Sequence, residues 1–207
     1  MDVPLVVTLL SDVVVIASLG AHPALEPTKP SRRHRLRTSA TIRGMVDWRS
    51  DRIGSALRGE NPTVLSRMPA AFAVIGDVQW LPGYCVLLAD NPSAARLSDL
   101  PPGQRSAYLD SMARLAVAVE NACAAADPAF LRVNIEILGN ADAFLHAHIW
   151  PRYGWEPDDL VWRPVWLYPP EKWRDPSSAL GPQHDALRAA ITANLKRAKV
   201  LDLPDGA

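Results

Sequence analysis

The chain has 207 residues, enough for one sizeable domain or a domain with an extension, and its 48% apolar and 21% charged residues are ordinary for a globular protein. Lysine plus arginine number 22 and aspartate plus glutamate also number 22, so the zero net charge argues against a DNA- or RNA-binding protein with a large basic surface. The two cysteines, Cys85 and Cys123, are too few for a disulfide scaffold or a zinc cluster. They indicate small buried residues in a reducing compartment.

Residues 1–44 differ in composition from the rest of the chain. Val3–Leu19 is apolar but shorter than the about 20 residues of a spanning helix, and Asp2 and Asp12 are atypical of a signal peptide or a membrane anchor. The stretch after Leu19 is rich in Pro, Ser and Arg and has too little apolar surface to order itself. Three interpretations stay open: a membrane segment, a weakly structured extension, and a stretch upstream of a natural start at Met45.

The secondary structure expected from Met45 onward is based on two kinds of apolar spacing. Apolar residues three or four positions apart indicate helices, whereas alternation, or a short apolar run between turn residues, indicates strands. In chain order the predicted elements are a short helix over Trp48–Leu57, strands over Ala71–Gly76 and Tyr84–Ala89, a long helix over Gln104–Ala126, strands over Phe130–Leu138 and Ala143–Trp150, a final strand over Asp159–Tyr168 and a helix over Gln183–Lys199. Pro151 is expected to end the strand that precedes it.

This order predicts an α+β fold: an antiparallel β-sheet with one long helix packed on it and a carboxyl-terminal helix. The turn residues Leu81–Gly83 are expected to join the first two strands as a hairpin. We expect a domain over residues 45–175, preceded by the extension 1–44 and followed by a carboxyl-terminal helix and tail over residues 176–207.

Two of the five histidines lie two positions apart on the predicted strand Ala143–Trp150. Because side chains alternate along a strand, His146 and His148 share one face with Phe144, while the apolar residues between them point towards the core. Three interpretations are open: imidazoles on a half-exposed sheet face, a metal site, and nucleophilic catalysis at phosphorus. A metal site needs a third ligand, which neither cysteine supplies at a suitable spacing. A neutral imidazole is a good nucleophile near pH 7.

The segment Asn134–Tyr153 reads NIEILGNADAFLHAHIWPRY. It resembles the histidine triad family of nucleotide hydrolases and transferases, whose motif is His-φ-His-φ-His-φ-φ (φ apolar), often followed by Pro-Arg. The N-x-E-x-x-G-N pattern before the motif is similar to the diadenosine tetraphosphate hydrolase-like branch of that family. The resemblance covers roughly residues 60–155 and implies the histidine triad type of α+β fold.

The resemblance also implies roles for single residues. His146 matches the middle histidine, the nucleophile that takes the nucleotidyl group, and His148 matches the third, which contacts the α-phosphate. Phe144 stands where the family has its first histidine, and we expect its ring to line the site, exclude water and fix the rotamer of His146. The implied mechanism has two steps, in which His146 attacks the α-phosphorus and water or another acceptor then attacks the nucleotidyl-histidine.

Four further polar residues are candidates for substrate binding. Asn134 and Asn140 are candidate donors to phosphate, with an edge polar residue and a plain turn residue as the alternatives. Asp77 comes after the strand at whose end the family has an acidic residue that holds the ribose, and a turn cap is the alternative. Arg152 is expected to pair with phosphate or with a carboxylate such as Glu136.

The expected function is that of a nucleotide hydrolase or nucleotidyl transferase that cleaves at the α-phosphate of a dinucleoside polyphosphate or similar nucleotide. The alternatives are a non-catalytic nucleotide-binding module and a metal-dependent hydrolase with His146 and His148 as ligands. We expect no cofactor and no metal in the protein itself, whereas a divalent cation would accompany the substrate phosphates. The expected partners are the nucleotide and a second copy of the chain as a homodimer, with no nucleic acid and no membrane, in the cytoplasm. The tryptophans between Trp150 and Trp173 favour packing or a dimer interface over base stacking.

Overall fold

The computed structural model describes residues 47–139 and 142–201, so the predictions for residues 1–44 and for Asn140 lie outside the described residues. Five antiparallel strands form one sheet in the order β1-β2-β3-β5-β4. Their bounds are β1 Val64–Met68, β2 Ala71–Ile75, β3 Cys85–Ala89, β4 Phe130–Glu136 and β5 His146–Tyr153. The helices are α1 Arg52–Leu57, α2 Pro102–Ala126, α3 Pro170–Arg174 and α4 Asp185–Leu201. The predicted α+β fold, with its antiparallel sheet, long helix and carboxyl-terminal helix, is confirmed.

β2 and β3 form the predicted hairpin, with Ala71 opposite Ala89 and Ile75 opposite Cys85. Both strands are buried along their whole length, as expected of short apolar runs between turn residues. Gly83 in the connection has a φ of +91°, which L side chains rarely adopt. β1 pairs with β2 at the edge of the sheet, and the sequence pattern misses it because its burial does not alternate.

α2 packs on the sheet face that carries Cys85 and Leu87. Cys85 and Cys123 of α2 are both free and buried, as predicted. The buried Tyr108 of α2 donates a hydrogen bond to the carbonyl of Leu87 at 3.1 Å. α4 lies against α2 and β1 and buries Ile191 completely, so it completes the same core. None of the helices in the described ranges is long and apolar enough to cross a membrane.

β5 extends through Pro151 to Tyr153, so the expectation that Pro151 ends the strand is wrong. β3 pairs with β5 only as far as Cys85 opposite Ile149. Beyond that point β5 pairs with β4 alone, where Val133 lies opposite Pro151. The missing N–H of proline is tolerated because this part of β5 has a neighbouring strand on one side only.

The expectation of a strand over Asp159–Tyr168 is also wrong, because the segment forms turns and a 3-10 helix over Val165–Leu167. The carbonyls of Val161 and Arg163 accept hydrogen bonds at 2.7 and 3.1 Å from the buried guanidinium of Arg152. In a strand these carbonyls would pair with a neighbouring strand instead. The buried guanidinium therefore determines the path of the chain after β5.

Candidate active site

The two histidines lie on β5, between β3 and the edge strand β4, on the sheet face opposite α2. His146 is paired with Leu88 and His148 with Val86, both on β3. Their rings share one face, as the strand alternation predicts, with centroids 4.8 Å apart and planes at 82°. Only 4% of His146 and 2% of His148 are exposed. The interpretation of the pair as part of a half-exposed sheet face is therefore wrong.

The hydrogen bond of His146 determines which of its ring nitrogens is free. Nδ1 lies 2.8 Å from the main-chain carbonyl oxygen of Phe144. A carbonyl only accepts hydrogen bonds, so Nδ1 carries the hydrogen and the lone pair of the neutral ring is on Nε2. The Phe144 ring packs on the same imidazole, with centroids 4.9 Å apart and planes tilted by 46°. The structure thus brings Phe144 to His146, and it leaves Nε2 as the nitrogen able to act as a nucleophile.

An ion pair lines the cleft beside His146. The cleft is lined by His146, Phe144, Arg52, Asp77 and apolar residues of β2 and β3, and its volume of about 10 Å³ is room for about one water molecule. Arg52 of α1 donates to both carboxylate oxygens of Asp77, at 2.7 and 3.3 Å. Their side chains are only 11% and 18% exposed. Asp77, the residue for which the resemblance implies a contact with the ribose, therefore lies in the cleft. Its carboxylate is bound by Arg52.

His148 is held by two aromatic residues. Its ring stacks on Trp150, with centroids 5.0 Å apart and planes within 6° of parallel, and its Nδ1 lies 2.7 Å from the hydroxyl oxygen of Tyr84. Burial, together with the nearby charge of His146, lowers the pKa of His148 to about 3. The ring is therefore neutral near pH 7. Because Nδ1 is engaged by Tyr84, only Nε2 is left to contact a substrate.

Two charged residues of this region are not marked by any sequence pattern. Arg52 reaches Asp77 across 25 positions of the chain, a separation at which no local periodicity operates. Asp142 precedes β5 and is half-buried; burial raises the pKa of its carboxyl, and the charges of His146 and Arg52 lower it in part. These charges place Asp142 in the electrostatic environment of His146. In residues 47–139 and 142–201, no three His, Cys, Asp or Glu side chains are grouped so as to hold a metal ion.

Asn134 lies on the edge strand β4, opposite Trp150 rather than opposite a histidine, and its side chain is half-buried. Glu136, two positions on, lies opposite His148 and accepts a hydrogen bond from the indole of Trp150 at 2.9 Å. Trp173 packs edge-on against Trp150, with ring centroids 5.6 Å apart. These contacts agree with the packing interpretation of Trp150 and Trp173.

Arg152 lies outside the cleft. It is on the same strand as His146 but six positions farther on, about 20 Å along an extended chain, and only 2% of it is exposed. Its Nε donates to both carboxylate oxygens of Glu156, at 3.0 and 3.1 Å. The carboxylate partner of Arg152 is therefore Glu156 and not Glu136, and the pair holds the segment after β5 rather than a group in the cleft.

Comparison with known proteins relates this arrangement to one fold. No family model and no curated protein matches the chain. Among solved structures, a histidine triad protein from Marinobacter aquaeolei is similar, with a TM-score of 0.52 and 20% identity over 65% of this chain and 88% of that chain. The chain has the histidine triad fold.

Two other proteins with the histidine triad fold agree with this assignment. A histidine triad protein from Sinorhizobium meliloti matches with a TM-score of 0.51 and 19% identity, over 63% of this chain and 87% of that chain. A hypothetical histidine triad nucleotide-binding protein from Sulfolobus tokodaii matches with a TM-score of 0.52 and 12% identity, over 74% of this chain and 98% of that chain. At these identities the similarity concerns the histidine triad fold.

Proposed function

We propose that this protein is a nucleotide hydrolase or nucleotidyl transferase that acts at the α-phosphate through a nucleotidyl-His146 intermediate. The observation that carries the proposal is the hydrogen bond from His146 Nδ1 to the carbonyl of Phe144, which leaves the Nε2 lone pair free beside a cleft. The histidine triad fold supports a nucleotide as the ligand class. The N-x-E-x-x-G-N pattern over residues 134–140 supports a dinucleoside polyphosphate as the substrate.

In the first step, Nε2 of His146 attacks the α-phosphorus. A nitrogen–phosphorus bond forms while the bond from phosphorus to the bridging oxygen breaks, and the leaving phosphate keeps the electron pair. His148 donates a hydrogen bond to a non-bridging oxygen and stabilises the charge that develops there. In the second step water attacks the phosphorus, releases a proton, and the electron pair of the broken nitrogen–phosphorus bond returns to Nε2. The products are a nucleoside monophosphate and the remaining phosphate-containing fragment.

Substrate binding opens the ion pair between Arg52 and Asp77. A volume of about 10 Å³ is too small for a nucleotide, and Arg52 and Asp77 are the ion-paired side chains that line the cleft, so we propose that they separate when the substrate binds. A nucleotide offers phosphate oxygens, which a guanidinium binds, and ribose hydroxyls, which a carboxylate accepts from. Each partner of the ion pair therefore exchanges its present contact for a complementary group of the substrate.

The direct test is incubation of the full chain with dinucleoside polyphosphates and nucleoside phosphoramidates, followed by mass spectrometry of the products and of the protein. The proposal expects a nucleoside monophosphate and a transient protein adduct of one nucleotidyl group. His146→Asn should abolish the adduct and lower turnover by several orders of magnitude, because the nucleophile acts mainly in the transition state. His148→Asn should keep the adduct at a rate lower by about 10²–10³. His184→Asn, before α4, is the matched control and should retain wild-type turnover.

Wild-type turnover by His146→Asn would eliminate the covalent mechanism. Nucleotide binding without product or adduct would instead favour a non-catalytic nucleotide-binding module, the second candidate, which Phe144 in place of the first triad histidine favours. Turnover that is lost in the presence of a chelator and restored by a divalent metal would favour the metal-dependent hydrolase or a substrate-bound cation.

We also propose a homodimer formed through the edge strand β4. This strand is the last in the sheet order, and its Leu131 and Ile135 are 55% and 42% exposed. Apolar side chains along an unpaired strand edge favour association with another strand. Light scattering of the full chain should give the mass of a dimer, and Ile135→Lys should shift it towards that of a monomer.

The two free buried cysteines support the proposed cytoplasmic location.

A further inference from the structure

Tyr84, immediately before β3, is held in one position by its neighbours. Only 3% of it is exposed, and its ring stacks on Trp150 with centroids 3.8 Å apart and planes within 10° of parallel. The ring also lies directly against Gly76, where a Cβ atom would be 2.3 Å from Tyr84 Cδ1. Glycine at position 76 therefore makes room for the ring, and the packing fixes where the hydroxyl is directed.

The hydroxyl oxygen of Tyr84 lies 2.7 Å from Nδ1 of His148, so one of the two groups donates a hydrogen to the other. If Nδ1 donated, the hydroxyl hydrogen would need an acceptor elsewhere. Among the residues that the structure describes, the Tyr84 hydroxyl has no other hydrogen-bond partner. With the Tyr84 hydroxyl donating to Nδ1, the donor left over is the N–H at Nε2 of His148. Among the described residues, the fully buried side-chain nitrogens and oxygens without a partner are Nε1 of Trp80 and Nε1 of Trp173, so Nε2 of His148 keeps access to solvent. An unpaired buried donor is costly, so the favoured arrangement has the buried Tyr84 hydroxyl donating to Nδ1.

Burial keeps both groups in the neutral forms that this arrangement requires. It lowers the pKa of His148 to about 3, with a further contribution from the charge of His146. Burial, and then the charge of Asp77, raises the pKa of Tyr84 well above its ordinary value. A neutral imidazole that accepts at Nδ1 carries its hydrogen on Nε2.

We propose that Tyr84 is a positioning residue that holds His148 as the tautomer protonated at Nε2, so that this N–H donates to the substrate phosphate. The neighbouring His146 has the opposite tautomer, because its Nδ1 is bonded to a carbonyl. The two imidazoles thus have different roles: Nε2 of His146 presents a lone pair, and Nε2 of His148 presents a hydrogen. The catalytic consequence rests on the proposed function, whereas the tautomer is a property of the free protein.

The test reads the tautomer by long-range ¹H–¹⁵N correlation spectra of the ¹⁵N-labelled full chain without nucleotide. The signals of His148 are assigned by their loss in His148→Asn. The wild type should show an unprotonated Nδ1 and a protonated Nε2. Tyr84→Phe, which keeps the ring and removes the hydroxyl, should give a mixture of tautomers. Tyr108→Phe removes another buried hydroxyl, bonded to the carbonyl of Leu87 on the other side of the sheet, and should leave the His148 signals unchanged.

Kinetics with a dinucleotide form the second readout. Tyr84→Phe should lower kcat by about tenfold, as expected for one hydrogen bond, and should change KM by less than about twofold. Tyr108→Phe should keep both constants. Gly76→Ala, which displaces the Tyr84 ring by steric contact, is a second variant and should reproduce the mixed tautomer.

A wild-type His148 protonated at Nδ1 would overturn the proposal, as would a Tyr84→Phe protein with the wild-type tautomer and wild-type kcat. Absence of turnover in all proteins, with the tautomers as expected, would refute the proposed function while supporting the assignment of Tyr84.

Discussion

Acid should destabilise this protein through His148. Burial lowers the pKa of His148 to about 3, whereas a histidine in an unfolded chain has a pKa of about 6.5. Above pH 6.5 the ring is neutral in both states and contributes no pH dependence to the free energy of unfolding. Below about pH 6.5 the unfolded chain binds a proton that the folded chain excludes, so stability is lost progressively down to about pH 3.

The size of this effect depends on the difference in the number of bound protons between the unfolded and the folded chain. One excluded proton costs about 1.4 kcal/mol for each pH unit within that window. Between pH 7 and pH 5, only the part below about pH 6.5 counts, so the loss through His148 is about 2 kcal/mol. For a chain of this size such a loss lowers the thermal midpoint by about 4–8 °C.

Urea unfolding at a series of pH values between 7 and 5 measures this contribution. His148→Asn keeps a polar group near Tyr84 and removes the titrating ring. The variant should be less stable than the wild type at pH 7, but its free energy of unfolding should fall less steeply with decreasing pH, by about 1.4 kcal/mol per unit. Parallel slopes for the two proteins would refute the conclusion that the fold holds His148 in its neutral form.

Three further changes test other parts of the structure. Glu156→Gln should lower the free energy of unfolding by about 3–5 kcal/mol, measured by urea unfolding, because it leaves the buried charge of Arg152 unpaired; a loss below about 1 kcal/mol would contradict the burial of the pair. Asp142→Asn should raise the thermal midpoint at pH 7 in calorimetry, because burial raises the pKa of this carboxyl and so disfavours its charged form. The gain should disappear below about pH 3.9, where the carboxyl is protonated in both states, and a lower midpoint of the variant at pH 7 would contradict the prediction. Phe144→His should keep steady-state turnover of a dinucleotide within about tenfold, whereas Phe144→Ala should lose more by loosening the packing on His146; a silent Phe144→Ala would show that this packing has no role.

The sequence predicts those features of the site that depend on local geometry. Side chains two apart on a strand share a face in any tertiary arrangement, so His146 and His148 could be placed together from their spacing alone. The hairpin of β2 and β3 is predictable in the same way, because two short apolar runs are joined by the turn residues Leu81–Gly83. Burial of the histidine face is not a local property, and the sequence pattern does not predict it.

Contacts between distant segments explain what the sequence patterns miss. Arg52 meets Asp77 across 25 positions, and Tyr84 meets His148 across 64 positions. The first contact depends on the placement of α1 beside the segment that follows β2, and the second on the pairing of β3 with β5. No periodicity of the sequence encodes either arrangement. The wrong prediction of a strand over Asp159–Tyr168 has the same cause. The guanidinium of Arg152 on β5 binds carbonyls of this segment that would otherwise pair with a neighbouring strand.

Phe144 stands where the resemblance to the histidine triad motif implies a histidine, and the loss of that imidazole side chain leaves the tautomer of His146 in place. Nδ1 of His146 is bonded to the main-chain carbonyl of residue 144, a group that every amino acid provides. The side chain at this position contributes only a ring packed at 4.9 Å from that imidazole. The tautomer with a free Nε2 therefore persists with phenylalanine at position 144, because the acceptor that selects it belongs to the backbone. Residue type at position 144 thus changes the packing around the proposed nucleophile and leaves unchanged which of its nitrogens carries the free lone pair.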